Sequence, residues 1–164
     1  MPGSRLVDKL KVVNALHAVT PSSSVPKWVS LKGYNHFTAI VSFVNATTVT
    51  GSAIGLAQAT AVAGTGTKVL GFTTMWAILD DASSVVLTQT AVVANTFTTS
   101  AVNSKSGFYV IEVDADTLDQ ANAFHAIQVT CGNATAATLD IVYILGHTAR
   151  YGGGYNSFMN PLAD

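Results

Sequence analysis

Between residues 11 and 146 the chain is a succession of short β-branched and aromatic runs separated by clusters of Gly, Asn, Asp and Ser. That is the pattern of strands and turns, and no helical apolar period is sustained along it. The clearest alternation runs from His36 to Val44, where Phe37, Ala39, Val41 and Phe43 share one face at period two and are expected in the core. From Ser52 to Ala59, Ile54 and Leu56 fall on one face and only small residues on the other. Such a face permits close approach by a second sheet or a second subunit.

After a turn at Gly64-Thr65-Gly66, the run Lys68 to Trp76 predicts a strand, and Asp80-Asp81-Ala82-Ser83-Ser84 predicts a polar turn. Val85 to Gln89 and Val92 to Thr98 predict a hairpin pair. Phe108 to Asp114 alternates, with Tyr109, Ile111 and Val113 as its inward set, and Ala115 to Asp119 predicts one helical turn capped by Asp114 or Asp116. Ala123 to Thr130 and Ala137 to Leu145, joined at Gly132-Asn133, complete the body. The latter is the most apolar stretch of the chain and is expected in the middle of a sheet, buried on both faces. Eight or so short strands at regular spacing predict an all-β fold. It is an antiparallel β-sandwich, with jelly-roll connectivity as one option and extended terminal arms.

The two ends differ from this body. Residues 1–10 read as an N-terminal arm, 11–149 as the sandwich domain, and 150–164 as a C-terminal tail rich in Gly and aromatics. Leu6 and Leu10 of the arm and Tyr151, Tyr155, Phe158 and Met159 of the tail are the candidate interface residues, because apolar and aromatic anchors dominate interface energies.

Charge changes the picture most. Only 10% of the 164 residues are Asp, Glu, Lys or Arg, against about 25% in an average globular chain. Soluble monomers carry a mixed, charged surface, so a surface of Thr, Ser, Ala and Asn fits a protein that packs against copies of itself, a homo-oligomer. Net charge is -1, which leaves no basic face to neutralise phosphates and argues against a nucleic-acid partner. The hydrophobic content of 49% is interrupted throughout by polar residues, and no run approaches the ~20 apolar residues of a membrane helix. The start of the chain has no apolar stretch followed by a small-residue cleavage site, so no secretory signal is expected.

Chemistry is sparse. The single Cys131 can form no internal disulfide or thiolate pair and reads as a small buried apolar residue. Gly64-Thr65-Gly66-Thr67-Lys68 fails the phosphate-loop pattern, since Lys68 follows Thr67 and no Ser or Thr comes next. His17, His36, His125 and His147 have no metal-ligand spacing and read as hydrogen-bonded strand or edge residues. Glu112, Asp114, Asp116 and Asp119 alternate loosely but lack the Gly and Glu of a calcium loop. No residue is assigned a catalytic, cofactor-binding or metal-binding role, and no enzyme activity is expected.

The run Trp28-Val29-Ser30-Leu31-Lys32-Gly33-Tyr34-Asn35-His36, the stretch 57–73, Val110 to Asp119 and Tyr143-Ile144-Leu145 resemble small virion proteins of tailed bacteriophages, of the capsid decoration or cement type. Together they span most of residues 28–146. The resemblance implies a β-rich protein that catalyses nothing and binds a major capsid protein shell, often as a trimer over capsomer junctions. It implies the capsid surface of the virion as location, after synthesis in the host cytoplasm, and carries over no site residue. Two other roles fit the same composition. One is a neck, tail or tube protein. The other is a carbohydrate-binding module with Trp28, Trp76 or Tyr34 as its platform, although both Trp residues lie in or beside strands and are expected in the core.

Overall fold

The computed structural model describes residues 10–21, 25–146 and 162. Leu6, Tyr151, Tyr155, Phe158 and Met159, and with them the predicted arms apart from Leu10 and Leu162, lie outside the described residues. Eleven strands follow in chain order: β1 (Leu10–Val19), β2 (Val29–Ser30), β3 (His36–Asn45), β4 (Ala53–Ala59), β5 (Lys68–Leu70), β6 (Thr74–Ile78), β7 (Thr88–Ala91), β8 (Thr96–Thr98), β9 (Ser106–Asp114), β10 (Ala126–Cys131) and β11 (Ala137–Gly146). They form a six-stranded sheet in the order β1-β11-β3-β9-β6-β7 and a five-stranded sheet in which β2-β10-β4-β5 is completed by β8 alongside β4. Every pairing is antiparallel. The chain crosses between sheets from β1 to β2 to β3 to β4, and again from β9 to β10 to β11. Set face to face, β1-β11-β3-β9 and β2-β10-β4-β5 have the connectivity of a jelly roll, and β6, β7 and β8 are additions between its fifth and sixth strands.

The core forms where the period-two faces meet. Phe37, Ala39, Val41 and Phe43 of β3 are at most 1% exposed, as are Leu139, Ile141, Tyr143 and Leu145 of β11. Tyr109, Ile111 and Val113 of β9 also point inward. Ile54 and Leu56 of β4 and Ile127 and Val129 of β10 meet them from the other sheet. A chain of aromatic contacts, Phe72–Phe97 at 6.4 Å, Phe97–Tyr109 at 4.8 Å and Phe43–Tyr109 at 5.4 Å between centroids, runs from one sheet to the other. Such tilted and edge-on pairs add ~1 kcal/mol each beyond the area they bury.

Tyr143 makes a polar link across this core. Strand β2 reaches only Ala126 and Ile127 along β10, so the N–H of Val129 has no ladder partner on that side. It donates instead to Tyr143 Oη at 2.9 Å, satisfying a buried donor from the opposite sheet. Close approach also fixes Gly107 in β9, where an added Cβ would stand 2.0 Å from the carbonyl oxygen of Ile78.

Five local expectations are corrected. Val85–Gln89 and Val92–Thr98 do not pair as a hairpin: β7 adds to β6 and β8 adds to β4, so they lie in different sheets. Ala94 and Asn95, with φ of 60° and 63°, turn the chain between them. The Lys68–Trp76 run is broken into β5 and β6 by a non-strand segment. Strand β11 does lie inside its sheet, but Thr138, Asp140, Val142 and Ile144 face outward and are half-buried or exposed. An antiparallel sheet has one open face, which a uniformly apolar sequence conceals. The helical turn is 3-10 at Ala115–Thr117 without a side-chain cap, since Asp114 Oδ1 instead accepts from His36 Nδ1 at 2.7 Å. Trp28 and Trp76 are half-buried, not core. The small-residue side of β4 is covered by the chain itself, with Gly55 set against Thr130 and Thr96.

Candidate functional site

The outer face of the six-stranded sheet follows from the alternation that builds the core. Each inward Phe, Ile or Tyr dictates an outward neighbour, and the registers align those neighbours in rows across the strands. The central row is Asn14, Val142, Ile40, Val110, Trp76 and Gln89, one residue from each of the six strands. Its four middle members are apolar and half-buried by one another. On one side of it lie Val12 and Ile144 with Thr38 and Glu112, and on the other Asp140, Ser42 and Phe108. An antiparallel sheet face directed at water ordinarily carries polar side chains at these positions.

Charge on this face lies off the central row. His17 Nδ1 lies 3.2 Å from Asp140 at one end, and His36 pairs with Asp114 at 2.7 Å and Glu112 at 3.6 Å at the other. These histidine–carboxylate contacts frame an uncharged apolar row of the kind that marks interaction sites when exposed. All four histidines are expected to be hydrogen-bonded strand or edge residues: His17 in β1 and His36 in β3 are so placed, His125 is hydrogen-bonded just before β10, and His147 lies outside the described residues. Glu112 and Asp114 are engaged by His36, and Asp119 is engaged by Lys68.

A cleft of about 510 Å³ lies between the β2–β3 loop and the segment before β10, lined by Leu31, Lys32, Tyr34, Leu118, Phe124 and His125. Its size suits a small ligand. Burial raises the Tyr34 phenol above its ordinary pKa, and Lys68 Nζ stands 4.4 Å over the Phe124 ring. Two of the polar groups near it are already committed: Lys68 to Asp119, and His125 Nδ1 to the Ala123 carbonyl at 3.0 Å. Cys131 is remote from such chemistry as well, its thiol pushed up to about 12 by burial, so a reactive thiolate is not formed. Among the described residues no group of three metal-ligating side chains converges.

The proposed sugar-platform residues are not brought together. Trp76 belongs to the open face of the six-stranded sheet, Trp28 packs beside Gly64 next to β2, and Tyr34 is buried at the cleft. Leu10, the one candidate interface residue among the described positions, opens β1 opposite Gly146 and is half-buried. The sequence expectations do not include the open face, although Ile40 and Val110 occupy outward parity in the two strands whose inward sets alternation defines; Val142 lies in the strand expected to be buried on both faces.

No family model matches the chain and no curated protein matches it. Among solved structures, it is similar to the crystal structure of the SPBc2 prophage-derived protein YomS, with 8% sequence identity and a TM-score of 0.45 over 87% of this chain and 96% of that one.

Proposed function

We propose that the protein is a non-enzymatic virion structural component, a capsid decoration or cement protein that seats the open face of its six-stranded sheet on a major capsid protein shell. The observation that carries this reading is the uncharged row Val142, Ile40, Val110 and Trp76 across that face. With only 10% charged residues in the chain, burying this face desolvates few ions and so gains the apolar contribution at low cost. A role in the neck, tail or tube uses the same surface and differs only in its location in the particle.

The test is to mix the purified protein with undecorated heads and image them by electron microscopy. Density over the capsomer junctions is the expected result, and Ile40→Lys, which places a charge in the centre of the row, is expected to remove it while the protein stays folded. Heads that remain bare with the wild-type chain refute the cement role. Trp76, half-exposed on the same face, also favours a second reading as a carbohydrate contact. Glycan-array binding that disappears in a folded Trp76→Ala variant would establish it.

A further inference from the structure

The sheets have several edges, and the chain treats one of them unlike the others. An open edge presents unpaired N–H and C=O groups to any other strand, and proteins blunt such edges with charge, proline, bulges or brevity. At the β1 edge the ladder with β11 breaks register twice, between Asn14 and Leu16 and between Leu16 and Val19, Ala18 has φ of 45°, and Lys11 and His17 are exposed along the strand. In the other sheet, β2 has two residues, and β5 and β8 have three each.

Strand β7 has none of the chemical protections. Its four residues are all exposed, its register with β6 is unbroken, and among the described residues no strand pairs with its far side. From Ala82 to Ser104 the sequence contains no charged residue and no proline. Apolar side chains flank the strand in the open: Val85 is 91% exposed, Val86 67%, Leu87 46% and Val93 82%. The direction of its free groups can be deduced. Val92 N–H donates to the Thr73 carbonyl at 2.8 Å, next to the Ala91–Thr74 pair. Because antiparallel ladders alternate, Thr88, Thr90 and Val92 direct their backbone groups to β6, and Gln89 and Ala91 direct theirs outward.

We infer that β7 is a docking edge for a second copy of this chain, pairing antiparallel with the same strand across a two-fold axis at Thr90 and joining two six-stranded sheets into one. A closed two-fold contact must be self-complementary, and this edge is. Gln89 faces the partner's Ala91 with both sets of free backbone groups matched, and Leu87 faces the partner's Val93, twice over by symmetry. The segment carries no charge, so two identical edges meet without repulsion. This pairing uses the edge and not the open face, and it stands independently of the virion reading.

The mass of the purified full chain by light scattering tests it, together with hydrogen exchange. The expected mass is twice 17.0 kDa, with the amides of Gln89 and Ala91 protected in concentrated solution and exchanging on dilution. Gln89→Pro removes only an outward donor, and Thr88→Lys adds a charge to the exposed strand; each is expected to halve the mass. The dimer should survive Asn14→Lys at the β1 edge. The circular dichroism and melting of each variant show that it is folded, and Thr88→Lys carries the test if the proline variant unfolds. A monomeric or trimeric wild-type mass overturns the proposal. So does a dimer that persists in a folded Thr88→Lys variant with Gln89 and Ala91 exchanging freely. A monomer with those two amides protected would assign the edge to another segment of the same chain, and overturns it equally.

Discussion

Tyr143 carries more than its share of this sandwich. Its ring is fully buried and packs 4.9 Å from Phe37, and its hydroxyl accepts the Val129 N–H from the facing sheet. Desolvation drives the phenol pKa far above its ordinary value, so the group stays neutral and hydrogen-bonded through the accessible pH range. Tyr143→Phe keeps the ring and leaves Val129 N–H buried without a partner. A loss of ~1–3 kcal/mol is expected, because an unsatisfied buried donor costs its desolvation penalty. That corresponds to a drop in Tm of roughly 2–12 °C for a chain of this size. Calorimetry that shows no change would mean that another acceptor reaches Val129. The corresponding bond on the other side, Tyr109 Oη accepting from Ser100 N–H at 2.7 Å, anchors a loop and not a strand, so sheet-to-sheet cohesion depends more on Tyr143.

At the scale of elements, two ion pairs tie irregular segments to the frame. Lys105, just before β9, holds Asp80 in the loop after β6, and Lys68 of β5 holds Asp119 between the 3-10 turns Ala115–Thr117 and Gln120–Asn122. The hydrogen bond from Lys105, then that from Ser83, lowers the Asp80 pKa; Lys68, then Asn122, lowers that of Asp119. A carboxylate with a folded pKa below its unfolded value of ~3.9 contributes stability that is complete above the unfolded pKa. The contribution is lost as pH falls through the folded pKa. Tm is therefore expected to decline below about pH 4, and less steeply in Lys105→Met, where Asp80 has lost its partner. Identical slopes in the two proteins, measured by thermal melts between about pH 5 and 2, would show that the Asp80–Lys105 pair does not contribute. Neither pairing could be read from the sequence, because each joins residues far apart in the chain. The legible elements were those where side-chain alternation was strict, as in β3 and β9. Reading failed at β7, which turns back onto the preceding β6 and not forward onto β8, and at β8, whose partner β4 lies far back in the chain. For the candidate site, only Leu10 of the named interface residues falls among the described positions. The open face lay hidden in the outward parity of strands already identified.

The whole molecule has a net charge of -1 and a sequence pI of about 6.4, and its open sheet face is apolar along the central row, with Glu112 and Asp140 in the rows on either side. Strands ~4.8 Å apart and outward residues ~6.8 Å apart along each strand give five strands by three rows an area of about 500 Å². Covering it on both partners removes about 1,000 Å² from water, the lower bound for a specific interface. A contact of that size held by apolar area depends little on ionic strength, whereas one held by exposed ion pairs weakens as the screening length shortens from ~10 Å at 0.1 M salt to ~3 Å at 1 M. Sulfate strengthens apolar burial because it is excluded from protein surface. Association of the protein with heads, followed by co-sedimentation, is therefore expected to persist from low salt to about 1 M sodium chloride and to tighten in sulfate. Release at high salt would assign the contact to the histidine–carboxylate margins and displace the central row from its role, because only groups exposed to solvent ions respond to screening over that range.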